Sequence, residues 1–321
     1  MGEPSLRWAL LGTANIAAKG FLPAARAAGH DAVVVGSRDP ARARAWAADN
    51  GVTRSGSYRE ALTAGDVDAV YVAVPNEQHI ELAARAVEAE KVVLCEKPVA
   101  LDAAGARELV DAAGHALLWE AFVFPFHPQT ALLQELIGPG GPIGRLREII
   151  SEFHFRVSST ANIRWDPGHG GGALLDVGCY PIRLARLLFG SEPKAAVASE
   201  VRSKSGVDAE FAAVLEFPGD RRLLFSAGMQ RSPSTFTRLI GDEGELRVSN
   251  PFHPTAADIV ELWQAGRAVR SWPNQDTTAF QHAVSHIARA VAGLDTPRHL
   301  VADDSVGNAA ALDLARAAVT W

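Results

Sequence analysis

Short β-type runs alternate with longer helical patterns over the first third of the chain, and this rhythm constrains the fold more than any other feature. Strands are predicted at Arg7–Leu11, Ala32–Gly36, Val52–Arg54, Ala69–Val74, Val92–Leu94 and Leu117–Trp119, and helices at Ile16–Ala28, Pro40–Asn50, Tyr58–Thr63, Gln78–Glu90 and Asp102–Ala113. The strands are almost continuously apolar, which is typical of a parallel sheet covered by helices on both faces. The sequence therefore predicts an α/β domain built from βαβ units.

The pattern changes after Phe126. Alternating polar and apolar runs follow a predicted helix at Pro128–Ile137, and they include Arg147–Arg156, Ala195–Arg202, Glu210–Phe217 and Arg222–Ala227. Such alternation indicates a mainly antiparallel sheet with one covered face. Helical patterns at Gly170–Phe189, Ala279–Ala292 and Ser305–Val319 complete an α+β domain. We expect two domains, 1–121 and 122–321, with the C-terminal helices able to pack back on the first.

Charge and composition exclude several classes of protein. The 321 residues carry a formal net charge of −6 and no long run of Lys and Arg, which argues against nucleic acid as a partner. The 2 cysteines rule out a disulfide framework and favour a reducing compartment. We find no signal-peptide pattern, and no apolar run approaches the roughly 18 residues of a membrane span. The expectation is a cytoplasmic protein without a membrane segment.

The first predicted strand leads into a turn of small residues, Gly12–Thr13–Ala14–Asn15–Ile16. In a Rossmann domain, backbone N–H groups and the start of a helix meet a pyrophosphate at this place. Ala14 stands where the fingerprint has its second glycine, so the motif alone leaves open a merely tight strand-to-helix turn. Its position in the first βα unit favours a dinucleotide.

The second predicted strand ends in Ser37–Arg38–Asp39. Enzymes specific for NAD normally place a carboxylate there, whereas an arginine and a hydroxyl suit the 2′-phosphate of NADP(H). Arg42, one helical turn further on, could assist. NADP(H) is therefore favoured and NAD(H) stays possible, with the alternative that Arg38 and Arg42 are solvated surface residues.

Polar residues also follow two later strands. Pro75, Asn76 and His79 come after one, and Glu96 and Lys97 after the next. Ligands of open parallel sheets bind at the carboxyl ends of the strands, so these residues are predicted to contact the cofactor. The ammonium of Lys97 could lower the pKa of a neighbouring acid. A purely structural role for Lys97 is an equally open alternative.

A glycine-rich segment, Gly170–Tyr180, places Asp176 and Tyr180 four residues apart, on one face if the segment is helical. A phenol has an ordinary pKa of about 10, so it benefits from a nearby cation when it donates a proton near neutral pH. Lys97 could be that cation. Trp165 and His169 precede the segment and are candidate substrate contacts. The alternative is that Tyr180 is a packing aromatic and Asp176 a surface charge.

Catalysis by a metal has little support in the sequence. His79, His127, His154 and His169 are scattered, and no metal-ligand spacing occurs among these four. We expect no metal site.

Taken together, the motifs resemble the Gfo/Idh/MocA family of oxidoreductases. They occur in the family's order as Glu96–Lys97–Pro98, Trp119–Phe122, Phe126–Gln129, Gly141–Gly144, Asp176–Tyr180 and Gly241–Gly244. The resemblance implies a Rossmann domain and a second domain with a large open antiparallel sheet, through which a homodimer or homotetramer forms. It also implies hydride exchange between a nicotinamide and a CH–OH group of a sugar-like or polyol substrate, with Lys97 contacting both.

Tyr180 marks a branch within this resemblance. Many members carry a histidine four residues after the helix aspartate, whereas a tyrosine resembles glucose–fructose oxidoreductase, dimeric dihydrodiol dehydrogenases, xylose dehydrogenases and sugar 3-ketoreductases. The resemblance implies Tyr180 as the acid/base, Lys97 as its assisting cation and Asp176 as a hydrogen-bond partner of a substrate hydroxyl. Pro125 stands where relatives often have arginine, which removes a charge. The alternative is a non-catalytic dinucleotide-binding regulator, which would need neither Lys97 nor Tyr180.

Overall fold

The chain forms two compact units. The computed structural model describes residues 3–274 and 277–320. One unit comprises Met1–Val123 with Thr278–Val306, and the other comprises Phe124–Thr277 with Gly307–Trp321. Among the helices within the described residues, none is long and apolar enough to cross a membrane.

The first unit contains a six-stranded parallel sheet. Its strands are β1 (Arg7–Leu11), β2 (Asp31–Gly36), β3 (Arg54–Gly56), β4 (Ala69–Val72), β5 (Val92–Cys95) and β6 (Leu118–Glu120), in the order β3-β2-β1-β4-β5-β6. Every strand pair is parallel. This is the strand order of a dinucleotide-binding fold, which reverses direction between β1 and β4. The predicted α/β class is confirmed, although the weak third strand begins at Arg54 rather than at Val52.

The second unit contains an eight-stranded sheet. Its strands are β7 (Leu146–Arg156), β8 (Ala195–Arg202), β9 (Asp208–Phe217), β10 (Arg221–Gly228), β11 (Gln230–Gly241), β12 (Glu245–Val248), β13 (Ile259–Gln264) and β14 (Arg267–Pro273), in the order β14-β13-β12-β11-β7-β10-β9-β8. The β7–β10 pair is parallel and the others are antiparallel. Alternation is clear on β9, where Phe211 and Leu215 are buried and Val214 is exposed. The predicted α+β class, with a mainly antiparallel sheet, is confirmed.

The helices are α1 (Leu22–Ala27), α2 (Pro40–Asn50), α3 (Tyr58–Leu62), α4 (His79–Glu88), α5 (Ala103–Ala113), α6 (Pro128–Leu136), α7 (Cys179–Phe189), α8 (Ala279–Val291) and α9 (Val301–Ala317). Helix α2 has the predicted bounds because its ends carry strong signals. The Asp39 carboxylate accepts hydrogen bonds from the N–H groups of Ala41 and Arg42, and Pro40 occupies the first turn. Gly51 closes the helix in the left-handed conformation.

Two predicted α-helices instead begin with a π-helical turn. Ala17–Phe21 precedes α1, and Leu174–Gly178 precedes α7. The predictions of α-helix over Ile16–Ala28 and Gly170–Phe189 are therefore wrong at their starts. In the second case Gly172 has a φ of +117°, which keeps the glycine run outside the helix. The argument that Asp176 and Tyr180 share an α-helical face does not hold, because Asp176 lies in the wider π turn.

Candidate active site

The glycine turn lies at the carboxyl edge of the parallel sheet, where β1 and β4 adjoin. Gly12 has a φ of +102°, and a Cβ at this position would collide with the Ala73 carbonyl oxygen. Its N–H donates to the Gly36 carbonyl at 2.9 Å. Thr13 and Ala14 are half-buried. Asn15 and Ile16 are exposed. The predicted cofactor segment therefore begins at a position where only glycine fits and continues to the surface.

The acidic residue that follows β2, Asp39, has a structural role. Because the Asp39 carboxylate caps α2, it is engaged by the helix N–H groups, and the Asp39 N–H donates to the buried Ser37 Oγ at 3.2 Å. Arg38 and Arg42 are exposed. Both lie near Tyr58, where burial raises the pKa of the hydroxyl and the two positive charges oppose that shift. This edge of the sheet thus presents an exposed cationic pair.

His79 lies at the start of α4, after Pro75 and Asn76. Its ring is fully buried, with Nδ1 2.8 Å from the Pro98 carbonyl oxygen and Nε2 2.9 Å from that of Val74. Burial lowers its pKa, which favours the neutral ring. The predicted direct contact of His79 with a cofactor does not fit this burial. The two ring nitrogens face carbonyl groups of the loops that follow β4 and β5, and the neutral ring donates a hydrogen bond to one of them.

Lys97 lies in the loop after β5, and two carboxylates fix this loop. Glu96 accepts a hydrogen bond from the Tyr71 hydroxyl, and its second oxygen accepts one from the Lys97 N–H at 3.3 Å. Glu120 accepts from the Val99 N–H at 2.9 Å and from the Ser305 hydroxyl at 2.6 Å. The half-buried Lys97 therefore sits between two anchored points of the backbone.

Tyr71 connects this loop to the core of the first unit. Its fully buried ring stacks on Phe21, from the π-helical turn, with centroids 4.3 Å apart. Phe280 packs edge-on against both rings. The sequence did not single out Tyr71, and it indicated Glu120 only as part of the Trp119–Phe122 motif. A tyrosine inside an apolar strand is a usable signal, because a buried hydroxyl needs a hydrogen-bond partner.

Asp176 forms an ion pair in the second unit. The Arg164 Nε lies 2.6 Å from Asp176 Oδ2, and the guanidinium carbon lies 5.6 Å from the Phe155 ring centroid. Trp165 and His169 lie on two consecutive 3-10 turns, Ile163–Trp165 and Pro167–His169, and both are half-buried. The structure makes Arg164 the partner of the predicted Asp176.

Tyr180 lies in an aromatic cluster of the second unit. The side chain is 6% exposed. Its ring centroid is 6.3 Å from that of Phe124, 5.3 Å from Phe153, 5.2 Å from Phe252 and 5.5 Å from His253. Apolar rings on several sides exclude water from a phenol, which strengthens its electrostatic interactions.

His253 is a member of this cluster that the sequence did not indicate. It is an exposed residue of the loop between β12 and β13, and its N–H donates to Asn250 Oδ1 at 3.0 Å. The Asn250 amide in turn donates to the His253 carbonyl at 2.6 Å. The Asn250–Pro251 pair indicates a turn at this place, but it does not predict a contact between His253 and Tyr180, which lies far away in the chain.

One histidine spacing escaped the sequence analysis. His282 and His286 are four residues apart on α8, an arrangement that can bind a metal. His286 accepts from the Arg298 N–H at 3.3 Å, and its Nδ1 lies 3.7 Å from Asp295 Oδ2. Within residues 3–274 and 277–320, no group of three or more His, Cys, Asp or Glu side chains could hold a metal ion.

Comparison with known proteins assigns both halves of the chain to one family. Residues 6–117 match the model of the oxidoreductase family with an NAD-binding Rossmann fold, and residues 131–247 match the GFO/IDH/MocA C-terminal domain. A D-xylose 1-dehydrogenase (NADP(+)) from Haloferax volcanii is 33% identical, over 91% of each chain. A dTDP-3,4-didehydro-2,6-dideoxy-alpha-D-glucose 3-reductase from Saccharopolyspora spinosa is 33% identical, over 94% of this chain and 92% of the other.

A solved structure extends the likeness to the whole fold. The crystal structure of a 3-ketoreductase from Actinomadura kijaniata in complex with NADP and TDP-benzene has a TM-score of 0.89 and 30% identity, over 98% of both chains. The predicted family is confirmed, as is the prediction of an enzyme. The chain is an oxidoreductase that belongs to the Gfo/Idh/MocA family.

Proposed function

We propose that this oxidoreductase uses NADP(H) and interconverts an alcohol with a ketone, or oxidises an aldose, on a sugar-like or cyclic polyol substrate. The observation that carries the proposal is the placement of Tyr180. It is nearly buried among aromatic rings, and it comes just after the π-helical turn that contains Asp176, which is paired with Arg164. The names of the relatives support the substrate class, because they include a xylose dehydrogenase and a reductase of a dideoxyglucose derivative.

The preference for NADP(H) is supported at the end of β2. Since Asp39 is engaged in capping α2, the groups that project at this edge are the cationic Arg38 and Arg42. A guanidinium binds a phosphate through charge-assisted hydrogen bonds. The relative from Haloferax volcanii is named for NADP(+), and the related crystal structure contains NADP. The Gly12 turn supports a dinucleotide through its place at the carboxyl end of β1, the edge of the parallel sheet at which such ligands bind.

The proposed chemistry assigns one proton to Tyr180. When bound, the nicotinamide supplies a hydride to the reacting carbon or accepts one from it. In the oxidative direction the Tyr180 phenolate takes the hydroxyl proton as the carbon–oxygen double bond forms, and in the reductive direction the phenol returns it. The Lys97 ammonium stabilises the phenolate. Asp176 accepts a hydrogen bond from a second substrate hydroxyl, and Arg164 fixes the orientation of that carboxylate.

Nucleotide binding tests the cofactor assignment. We expect the fluorescence of NADPH to change on titration with the protein, at protein concentrations that leave the fluorescence of NADH unchanged. Equal affinity for the two nucleotides would contradict the role given to Arg38 and Arg42.

Turnover tests the role of Tyr180. On a substrate found in a panel of aldoses, ketosugars and cyclic polyols, Tyr180→Phe should lower kcat by about 100- to 10,000-fold and leave NADPH affinity unchanged. Wild-type turnover by Tyr180→Phe would overturn the acid/base assignment. NADPH binding without turnover of any panel member would favour the non-catalytic regulator.

We also propose that the outer face of the eight-stranded sheet forms a homo-oligomer. Apolar residues on β8 and β9 face outward there, with Val197 61% exposed and Val214 37% exposed. They line a shallow cavity of about 480 Å³ together with Ile150, Leu224 and Phe236. Light scattering should give a dimer or tetramer for the wild type, and Val197→Asp should shift it toward monomer. A monomeric wild type would contradict the proposal.

A further inference from the structure

Asp208 is a partly buried carboxylate that the proposed chemistry does not use. It lies at the start of β9, and its Oδ2 accepts a hydrogen bond from the Leu174 N–H at 2.6 Å. Its Oδ1 packs against Gly172, so closely that a Cβ on this glycine would collide with the carboxylate. The carboxylate therefore holds the bend from which the π-helical turn Leu174–Gly178 begins.

That bend is joined to the Asp176 ion pair by a closed set of hydrogen bonds. The Gly172 N–H donates to the Arg164 carbonyl at 3.1 Å, and the Asp176 N–H donates to the Gly172 carbonyl at 3.1 Å. Arg164 Nε then returns to Asp176 Oδ2 at 2.6 Å. A displacement of Gly172 is consequently transmitted to both members of the ion pair and to the turn that leads into Tyr180.

We propose that Asp208 is a positioning residue of the active site, whose carboxylate holds the Gly172–Leu174 bend and thereby sets the places of Asp176 and Tyr180. The proposal rests on the function proposed above for those two residues. Asp208 contacts neither of them in this scheme and acts only through the backbone of the bend. A misplacement of about 1 Å in a catalytic group can lower a rate by about 100-fold, so a backbone anchor of this kind has a measurable effect.

The strength of this anchor depends on the charge of Asp208. Burial, with a smaller contribution from Glu200 on β8, raises the pKa of Asp208 to about 6, while Arg316 on α9 and the N–H groups of Leu174 and Asp208 oppose the shift. Arg202, the register partner of Asp208 on β8, is itself bonded to Glu200. Since an ionised acceptor makes a stronger hydrogen bond than a neutral one, the anchor weakens as pH falls through this value.

Backbone exchange and kinetics test the proposal together. At pH 7, Asp208→Ala should speed hydrogen exchange in peptides that cover Gly172–Tyr180 and lower kcat by about 10- to 100-fold. NADPH affinity, which belongs to the other unit, should not change. Asp208→Asn keeps a neutral acceptor, as the protonated carboxyl does, and should hold exchange and kcat near the level that the wild type reaches below pH 6. It should also remove the fall in kcat that the wild type shows as pH drops through about 6.

The controls separate this inference from a simple loss of fold. Asp220→Asn makes the same substitution at an exposed turn of the same unit and should leave exchange, kcat and the pH profile as in the wild type. If Asp208→Ala does not fold, Asp208→Asn alone still tests the pH profile. An unchanged acid limb in a folded Asp208→Asn, or wild-type exchange and kcat in Asp208→Ala, would overturn the proposal.

The exchange measurement also distinguishes this proposal from the proposed function. If Tyr180→Phe keeps full turnover, the function assigned to Tyr180 fails, whatever Asp208→Ala does to exchange. If Tyr180→Phe is inactive and Asp208→Ala keeps both wild-type protection and wild-type kcat, the positioning role alone fails.

Discussion

Two glycines with positive φ, Gly12 and Gly172, hold equivalent places in the two units, each at the start of a segment that carries predicted site residues. A Cβ on Gly12 would meet a backbone carbonyl, whereas a Cβ on Gly172 would meet the carboxylate of Asp208. A packed backbone cannot move aside, and a side chain at the end of a strand can. The predicted cofactor segment is thus fixed by its main chain, and the predicted substrate segment is held by a side chain that can rotate and change its charge.

The largest expected effect comes from adding a methyl group at each glycine. Gly12→Ala should lower the free energy of unfolding by more than about 3 kcal/mol and abolish NADPH binding, because both the φ angle and the collision oppose it. Gly172→Ala should cost less, since Asp208 can turn away. Urea unfolding of both variants measures the difference, and equal losses would remove the contrast between the two units.

The pH dependence of stability should reveal Asp208 next. Its folded-state pKa of about 6 lies above the ordinary value of 3.8, so the folded state binds the extra proton between these values. The contribution of Asp208 to the free energy of unfolding is fully present below about pH 3.8. It is lost as the pH rises to about 6, by up to about 3 kcal/mol. Asp208→Asn should remove this contribution to the pH dependence of the free energy of unfolding. A parallel pH profile for wild type and variant would contradict the pKa shift.

A smaller loss is expected at Glu120, the corresponding anchor of the first unit. Glu120→Ala leaves the Val99 N–H and the Ser305 hydroxyl without their acceptor, at a cost of about 2 kcal/mol in unfolding free energy. Glu120→Gln keeps an acceptor and should lose less. Thermal unfolding checks both, and a fully stable Glu120→Ala would mean that the Lys97 loop is held mainly by Glu96 and His79.

The smallest effect concerns cofactor choice. Arg38→Ala should weaken NADPH binding by about 10-fold, equivalent to about 1.4 kcal/mol, and leave NADH binding unchanged. Arg44→Ala, on the exposed face of α2, is the matched control. Equal weakening by both variants would point to general surface charge instead of contact with a phosphate.

Local signals account for what the sequence could predict. The bounds of α2 follow from Asp39, Pro40 and Gly51, and the bounds of β1 follow from its apolar run. Both elements were predictable because the residues that determine them are neighbours in the chain. The π-helical turns were missed because no residue type specifies their register. Strands β11 to β14 were not assigned, and the first residues of β11, Gln230–Pro233, are all exposed and show no alternation.

The sequence predicted individual residues of the site, but not the contacts that hold them in place. Gly12, Lys97, Asp176 and Tyr180 stand out through composition and motif, and the roles given to them are proposals. Their anchors lie far away in the chain. Glu120 is bonded to a residue 185 positions later, and Asp208 is bonded to one 34 positions earlier, distances over which no local pattern gives a signal.

The helix cap formed by Asp39 limits how this enzyme could be redesigned for the other nicotinamide nucleotide. Because its carboxylate is already bonded to two N–H groups of α2, the acid that sequence comparison would assign to a ribose cannot serve that purpose without loosening the helix. A change of coenzyme therefore requires a new acid at a neighbouring position such as Arg38, with Asp39 left in place.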